Sequence, residues 1–201
     1  DKLRDFIFEV RKRDKLLLKS FSKDDKIYLS NYLMSLISES ESEGGNNSDI
    51  FAFNRERDSS MNISRKTMDI LNKVDRLEIK SNSYFNFKFL YDLYTNLKNR
   101  NNELAEKETS DEENESDLLY YSDEDGIRIA IGGYGKNIYN GHYDLIIDLG
   151  GDDVYNIDKE STDLFKNNFS CIIDLSGNDY YTTKSNYSLA GAAFSDRKSV
   201  V

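Results

Sequence analysis

The feature that most constrains the fold is a strand-and-turn pattern that occurs three times near the end of the chain. Residues 129–139 read IAIGGYGKNIY, residues 145–155 read LIIDLGGDDVY, and residues 171–181 read CIIDLSGNDYY. Each segment begins with two apolar residues that are separated by one residue. Three further residues follow, and the segment ends with Gly-x-(Asp/Asn)-x-Tyr. A short unit of this kind cannot bury its apolar face alone, so repeated units are expected to stack on each other.

Stacking assigns a role to each position of the unit. Alternation along a strand places Leu145, Ile147 and Leu149 on one face. Cys171, Ile173 and Leu175 are expected beside them in register, so Cys171 is predicted to be a buried small hydrophobe. The glycines that close the units predict corners with positive φ or close backbone approach: Gly135, Gly151 and Gly177. The tyrosines that follow predict an aromatic ladder with surface hydroxyls: Tyr139, Tyr155 and Tyr181.

Stacking also brings carboxylates together. Asp148 is expected beside Asp174, and Asp153 beside Asp179, at a strand spacing of about 4.8 Å. Two bare carboxylates at that distance repel by about 3.5 kcal/mol at an effective dielectric near 20. A calcium ion with these four aspartates as ligands is one way to compensate. The alternative is that each aspartate accepts backbone N–H bonds within its own turn.

Two resemblances bear on these units. GGYGKNIYN at residues 132–140 resembles the glycine-rich calcium-binding nonapeptide of RTX proteins, although spacings of 16 and 26 residues between matching glycines differ from a nine-residue repeat. The segment from about 126 to 201 more closely resembles a group of uncharacterised, mostly bacterial repeat proteins. The resemblance is carried by IIDLGGDDVY at 146–155, DLSGNDYY at 174–181 and GAAF at 191–194. It implies a β-solenoid-like fold and brings no activity.

The front half has a different pattern. Apolar residues at helical spacing predict a helical region over 1–102, with a break at 38–49, where the residues are turn formers and acids. Ser22 with Asp25 predicts a capping box, and Ser64 and Ser83 are predicted caps of later helices. We therefore predict an α+β chain in which the helical region precedes a right-handed parallel β-helix, or solenoid, over 126–201.

The two regions are joined by a strongly acidic segment. Residues 103–125 contain eleven carboxylates and one lysine, which equals the net charge of -10 for the whole chain. Like charges with few bulky apolar residues predict a solvated linker or mobile loop. The same acidity argues against nucleic acid as a partner, because phosphate binding needs clustered Lys and Arg.

Composition excludes several classes of function. One Cys and one His exclude a disulfide framework and the usual zinc, iron-sulfur and Cys-His sites. No apolar run approaches the roughly 20 residues of a membrane span. Val200 and Val201 align with the start of a further unit, so we expect the repeats to be truncated at the C-terminus. The sequence does not decide the compartment, and an extracellular or periplasmic one is favoured.

These observations predict a non-enzymatic structural or binding repeat module. We expect an envelope or surface scaffold that presents Tyr, Asp and Asn rungs to a protein or glycan. One alternative is a carbohydrate-active β-helix enzyme that uses the acidic rungs with calcium, and Lys136 or His142 as base. Another alternative is a subunit of a larger assembly, docked through the N-terminal helices.

Overall fold

The computed structural model describes residues 2–42, 65–105, 117–157 and 169–182. The front half is helical, as predicted. Helix α1 covers Lys2–Leu17 and continues into a short 3-10 turn, Leu18–Ser20. Helix α2 covers Lys23–Ser42, residues 65–71 form a further helical segment, and helix α3 covers Arg76–Ala105.

The described residues of the back half form seven short strands. They are β1 Leu118–Glu124, β2 Ile127–Gly132, β3 Ile138–Gly141, β4 Leu145–Asp148, β5 Val154–Ile157, β6 Cys171–Asp174 and β7 Tyr180–Thr182. Four of them form one sheet in the order β1-β2-β4-β6, and the other three form a second sheet in the order β3-β5-β7. All neighbours are parallel except β1 and β2.

The register of these sheets confirms the predicted alignment of the units. Ile129 pairs with Leu145, which pairs with Cys171. The three positions that follow in each of β2, β4 and β6 pair with the same offset. In the second sheet Tyr139 pairs with Tyr155, which pairs with Tyr181. Successive units therefore lie side by side, each contributing one strand to each sheet.

The predicted right-handed parallel β-helix is wrong. The strands are only three to seven residues long and belong to two separate small sheets. One of these sheets is mixed, because β1 runs antiparallel to β2. In the ranges that the structure describes, neither sheet closes on itself or continues as a solenoid.

The four-stranded sheet is the central layer and is covered on both faces. Its first face buries Ile129, Leu145 and Cys171 against apolar residues of α1 and α3, such as Phe6 and Leu90. Phe6 also stacks on Phe89 of α3, with ring centroids 3.8 Å apart. Its second face buries Ala130 and Ile146 against the tyrosines of the three-stranded sheet. Alternation along each strand produces these two faces.

An ion pair joins α1 to the central sheet. Arg11 donates to the Asp144 carboxylate at 2.6 Å, and Asp144 is fully buried. The second carboxylate oxygen of Asp144 accepts the backbone N–H of Arg128 at 2.9 Å. A buried carboxylate needs both a cation and hydrogen bonds, so this contact fixes where the helix lies on the sheet.

The acidic segment is structured at both ends. Helix α3 continues through 103–105, and β1 forms a hairpin with β2 through Asp125 and Gly126. These two residues have φ of 55° and 67°, the conformation that favours Asp-Gly in two-residue hairpins. Arg4 pairs with Glu124, and Arg128 with Asp123 at 2.8 Å, which offsets part of the negative charge. Within the described residues, 103–105 therefore belong to α3 and 118–124 to β1.

Helix caps follow the sequence in one case and depart from it in another. Ser22 and Asp25 form the predicted capping box, with reciprocal hydrogen bonds of 2.9 and 3.1 Å. Ser83 caps nothing because it lies inside α3, and Asp75 instead accepts the backbone N–H of Leu77 at 2.7 Å. Predictions on Ser64, residues 43–49, the 106–116 part of the acidic segment, and 183–201 with Val200 and Val201 lie outside the described residues.

Candidate functional site

The tyrosines of the three units form a stacked column between the two sheets. The ring of Tyr155 lies 5.0 Å from that of Tyr139 and 4.6 Å from that of Tyr181, and both pairs are nearly parallel. The predicted ladder is confirmed. The predicted surface position of its hydroxyls is wrong, because Tyr139 and Tyr155 are fully buried and point into the interior between the sheets.

The first pair of predicted aspartates lies next to this column. Asp148 and Asp174 are direct neighbours across β4 and β6, as predicted. The Tyr139 hydroxyl donates to Asp148, and the Tyr181 hydroxyl donates to Asp174 at 2.8 Å. Asp148 also accepts the backbone N–H of Gly150 at 2.9 Å, which is the bond within its own turn that was one of the two alternatives.

The second pair of aspartates links each turn to the next. Asp153 accepts the backbone N–H of Asn137 at 2.6 Å, and Asp179 accepts the backbone N–H of Asp153 at 2.9 Å. These aspartates therefore bond to the preceding unit rather than to their own turn. Each carboxylate satisfies a corner amide that strand pairing leaves without a partner.

In the first unit the turn amides are bonded by an aspartate from outside the repeat, which the sequence analysis missed. Asp117, which lies just before β1, accepts the backbone N–H groups of Tyr134 at 2.9 Å and Gly135 at 3.0 Å. Gly132 occupies the position of Asp148 and Asp174, and a Cβ there would overlap the Tyr139 hydroxyl and the Asp148 carboxylate. Asp117 belongs to the acidic segment, and nothing in the repeat pattern marks it.

The corner glycines allow the turns to approach each other closely. Gly151 and Gly177 have φ of 123° and 139°, as predicted for this position. A Cβ on Gly151 would lie 2.5 Å from the carbonyl oxygen of Gly135, and one on Gly177 would overlap the carbonyl of Gly151. Any larger residue would separate the turns and break the hydrogen bonds between them.

Burial changes the acidity of the aspartates. Asp148 is 0% and Asp153 1% exposed. Burial, with a smaller contribution from the adjacent Asp153 carboxyl, raises the pKa of Asp148 to about 7. Burial also raises the pKa of Asp153, and that of Asp179 to about 6, where the neighbouring Asp174 adds to the effect. The raised pKa values favour the protonated forms of these carboxyls, which reduces their mutual repulsion.

The calcium prediction finds no support in this geometry. Among the described residues, no group of three or more His, Cys, Asp and Glu side chains is placed to hold a metal ion. Asp148, Asp153, Asp174 and Asp179 instead use oxygens to accept hydrogen bonds from the protein. Calcium stays a prediction, and thermal unfolding with calcium and with a chelator decides it, because a ligand of the native state raises Tm.

The three other reactive side chains of this region differ in their burial. Cys171 is buried in the core as predicted, and burial raises the pKa of its thiol to about 12. The side chain of His142 is largely buried, and its Nε2 lies 3.9 Å from Asp144. Lys136 is exposed.

The outer face of the three-stranded sheet carries two further columns that the sequence analysis did not single out. One column consists of Ile138, Val154 and Tyr180, and the other of Asn140, Asn156 and Thr182. The Asn156 side chain donates to the Asn140 side chain at 2.9 Å. Ile138 is 58% and Tyr180 67% exposed. The signal was present in the repeat, because the residue after each tyrosine is Asn, Asn or Thr.

Comparison with known protein families, with curated proteins and with solved structures finds no match. The resemblance to repeat units with DLGGDDxY and DLxGNDxY segments therefore stays a prediction. Across the helices that the structure describes, none combines the length and the apolarity that crossing a bilayer requires.

The two buried tyrosines, Tyr139 and Tyr155, provide a matched test of the hydrogen bond between Tyr139 and Asp148. The buried Tyr155 hydroxyl neither donates nor accepts a hydrogen bond within the described part of the chain, whereas the Tyr139 hydroxyl donates to Asp148. Tyr139→Phe should lower the free energy of unfolding by about 2 kcal/mol, because a bond to a carboxyl is lost. Tyr155→Phe should leave it unchanged or raise it by about 1 kcal/mol. Urea unfolding followed by circular dichroism measures both, and the reverse order of the two variants would refute the assignment.

The raised pKa values predict an unusual pH dependence. A carboxyl whose pKa is higher in the folded than in the unfolded state stabilises the fold at low pH and loses that contribution as pH rises. The free energy of unfolding should therefore fall as pH rises from about 4, the pKa of an unfolded aspartate, to about 7, by at most about 4 kcal/mol for the three-unit change at Asp148.

Asp148→Asn should flatten this profile, because it keeps the shape and removes the titration. Asp152→Asn, which changes an exposed carboxylate on the same turn, should keep the wild-type profile. Urea unfolding at a series of pH values measures all three proteins. Stability that is constant or rises from pH 4 to 7 would contradict the burial of these carboxyls.

Proposed function

We propose that the protein is a non-enzymatic structural and binding module that presents the outer face of its three-stranded sheet to a partner. The observation that supports it most is the division of the repeat into two sides. The tyrosine and aspartate rungs face the interior, and the Asn140 and Ile138 columns face solvent. Location at an envelope or surface is part of this proposal.

The buried aspartates make hydrogen bonds within the protein, and these bonds involve no substrate. Asp148 and Asp153 are buried, and their bonds go to Tyr139, Gly150 and the backbone of Asn137. A catalytic carboxyl must reach the atoms that react. These side chains serve the packing of one turn on the next, which favours a scaffold over the enzyme alternative.

The helices also have a role within the chain. Phe6, Ile7 and Val10 of α1 and Leu90 of α3 are buried against the central sheet. The buried apolar residues of these two helices therefore cover this sheet, while Tyr84, Phe87 and Tyr91 of α3 stay exposed. The buried faces favour a self-contained module, whereas the exposed aromatic residues of α3 favour the assembly alternative.

Binding and turnover can be measured on the same samples. The protein is incubated with immobilised neutral and acidic polysaccharides, and both bound protein and released reducing ends are quantified. The proposal predicts binding without release of reducing ends. Binding should be lost in the triple variant Asn140→Ala/Asn156→Ala/Tyr180→Ala and retained in Asn178→Ala, which changes an exposed asparagine on a turn.

The triple variant should keep the wild-type melting temperature to within a few degrees, because exposed substitutions change stability by about 0.5 kcal/mol or less. Release of reducing ends that disappears in Asp153→Asn would contradict the proposal and favour the enzyme alternative. Binding that is equal in the triple variant and the wild type would show that another surface is used.

A further inference from the structure

The outer columns of the three-stranded sheet have a chemistry that specifies a class of partner. This step rests on the proposed function and concerns the same face. We propose that the face binds a linear, uncharged, hydroxyl-rich glycan chain.

The first argument is charge. The six outward residues are Ile138, Asn140, Val154, Asn156, Tyr180 and Thr182, and none of them is ionisable near neutral pH. Elsewhere the chain is 32% charged and carries a net charge of -10. Binding of a charged polymer relies on opposite charges at the interface. A face that lacks charge on a strongly acidic protein is suited to an uncharged partner.

The second argument is the pairing of amides with an apolar column. An asparagine side chain offers two donors and two acceptors, and the Asn156 to Asn140 bond uses only one of each. The remaining groups match hydroxyls, which both donate and accept. Beside them, the exposed Tyr180 ring and Ile138 offer apolar surface to the C–H groups of a sugar ring.

The third argument is repetition. Asn140 pairs with Asn156, which pairs with Thr182, so a polar side chain recurs at every strand, about 4.8 Å apart. Ile138, Val154 and Tyr180 recur with the same spacing. Weak contacts that recur in register add up when the partner also repeats. A polymer of identical sugars is therefore a better match than a single sugar.

A protein partner is the main competitor, and the face fits it less well. Stable protein interfaces are anchored by a central cluster of buried aromatic, aliphatic or Arg side chains. The apolar column has one aromatic residue, Tyr180, and it lies on β7 at the edge of the sheet. The polar column of Asn140, Asn156 and Thr182 occupies the rest of the face.

Affinity electrophoresis tests the proposal with defined polymers. The full chain is run in native gels that contain hydroxyethyl cellulose, dextran or mannan, which are neutral, or carboxymethyl cellulose, which is acidic. Retardation by at least one neutral polymer is expected. The acidic polymer should retard the protein less, at an ionic strength of about 0.15 M that screens general repulsion.

Variants of the face separate stacking from hydrogen bonding. The triple variant Asn140→Ala/Asn156→Ala/Tyr180→Ala should bind at least tenfold more weakly. Tyr180→Phe keeps the ring and should bind like the wild type, whereas Tyr180→Ala should not. Asn178→Ala is the control at an exposed asparagine on a turn and should not change the affinity.

The outcomes also separate this inference from the proposed function. No retardation by any of the three neutral polymers would overturn the glycan assignment, as would equal retardation of the triple variant and the wild type. Retardation by carboxymethyl cellulose alone, lost in the triple variant, would overturn the uncharged class and leave the binding face in place. Loss of affinity in Asn178→Ala with no loss in the triple variant would overturn both.

Discussion

The structure depends on one hydrogen bond that is made twice, from a corner amide of one turn to an aspartate of the next. Asn137 donates to Asp153, and Asp153 donates to Asp179. The first bond uses the buried Asp153 and the second the half-buried Asp179, and a carboxylate removed from water is stable only if it is hydrogen-bonded or protonated. The glycine corners allow the close approach, and in the first turn Asp117 takes the place of Asp148 by accepting the backbone N–H of Tyr134.

This arrangement separates the residues that hold the units together from those that can meet a partner. The interior side of the three-stranded sheet carries Tyr139 and Tyr155, which stack above the buried aspartates. The exterior side carries Asn140 and Asn156, which take no part in the core. Substitutions on the outer columns can therefore alter recognition without disturbing the stacking of turns. The helices complete the structure by covering the other face of the central sheet.

The sequence predicted the local features well, because they follow from period and spacing. The register of Leu145 with Cys171, the tyrosine ladder and the helical front half are confirmed. The β-helix was wrong, because a repeat pattern specifies which strands are neighbours and does not specify whether a sheet continues. The sequence analysis also missed the partners of the aspartates. The bond from Tyr134 to Asp117 and the ion pair of Arg11 with Asp144 join residues more than fifteen positions apart in the sequence. No local pattern predicts such contacts.

The corner amides offer the most direct test of this account. Amide hydrogen exchange followed by nuclear magnetic resonance measures each N–H separately, and an amide bonded to a buried carboxylate exchanges only when the turns come apart. The account predicts that the amides of Asn137 and Asp153 exchange as slowly as those in the centre of β4, such as Ile146. Exchange at these two amides as fast as at exposed turn residues would show that the turns are not joined through their aspartates.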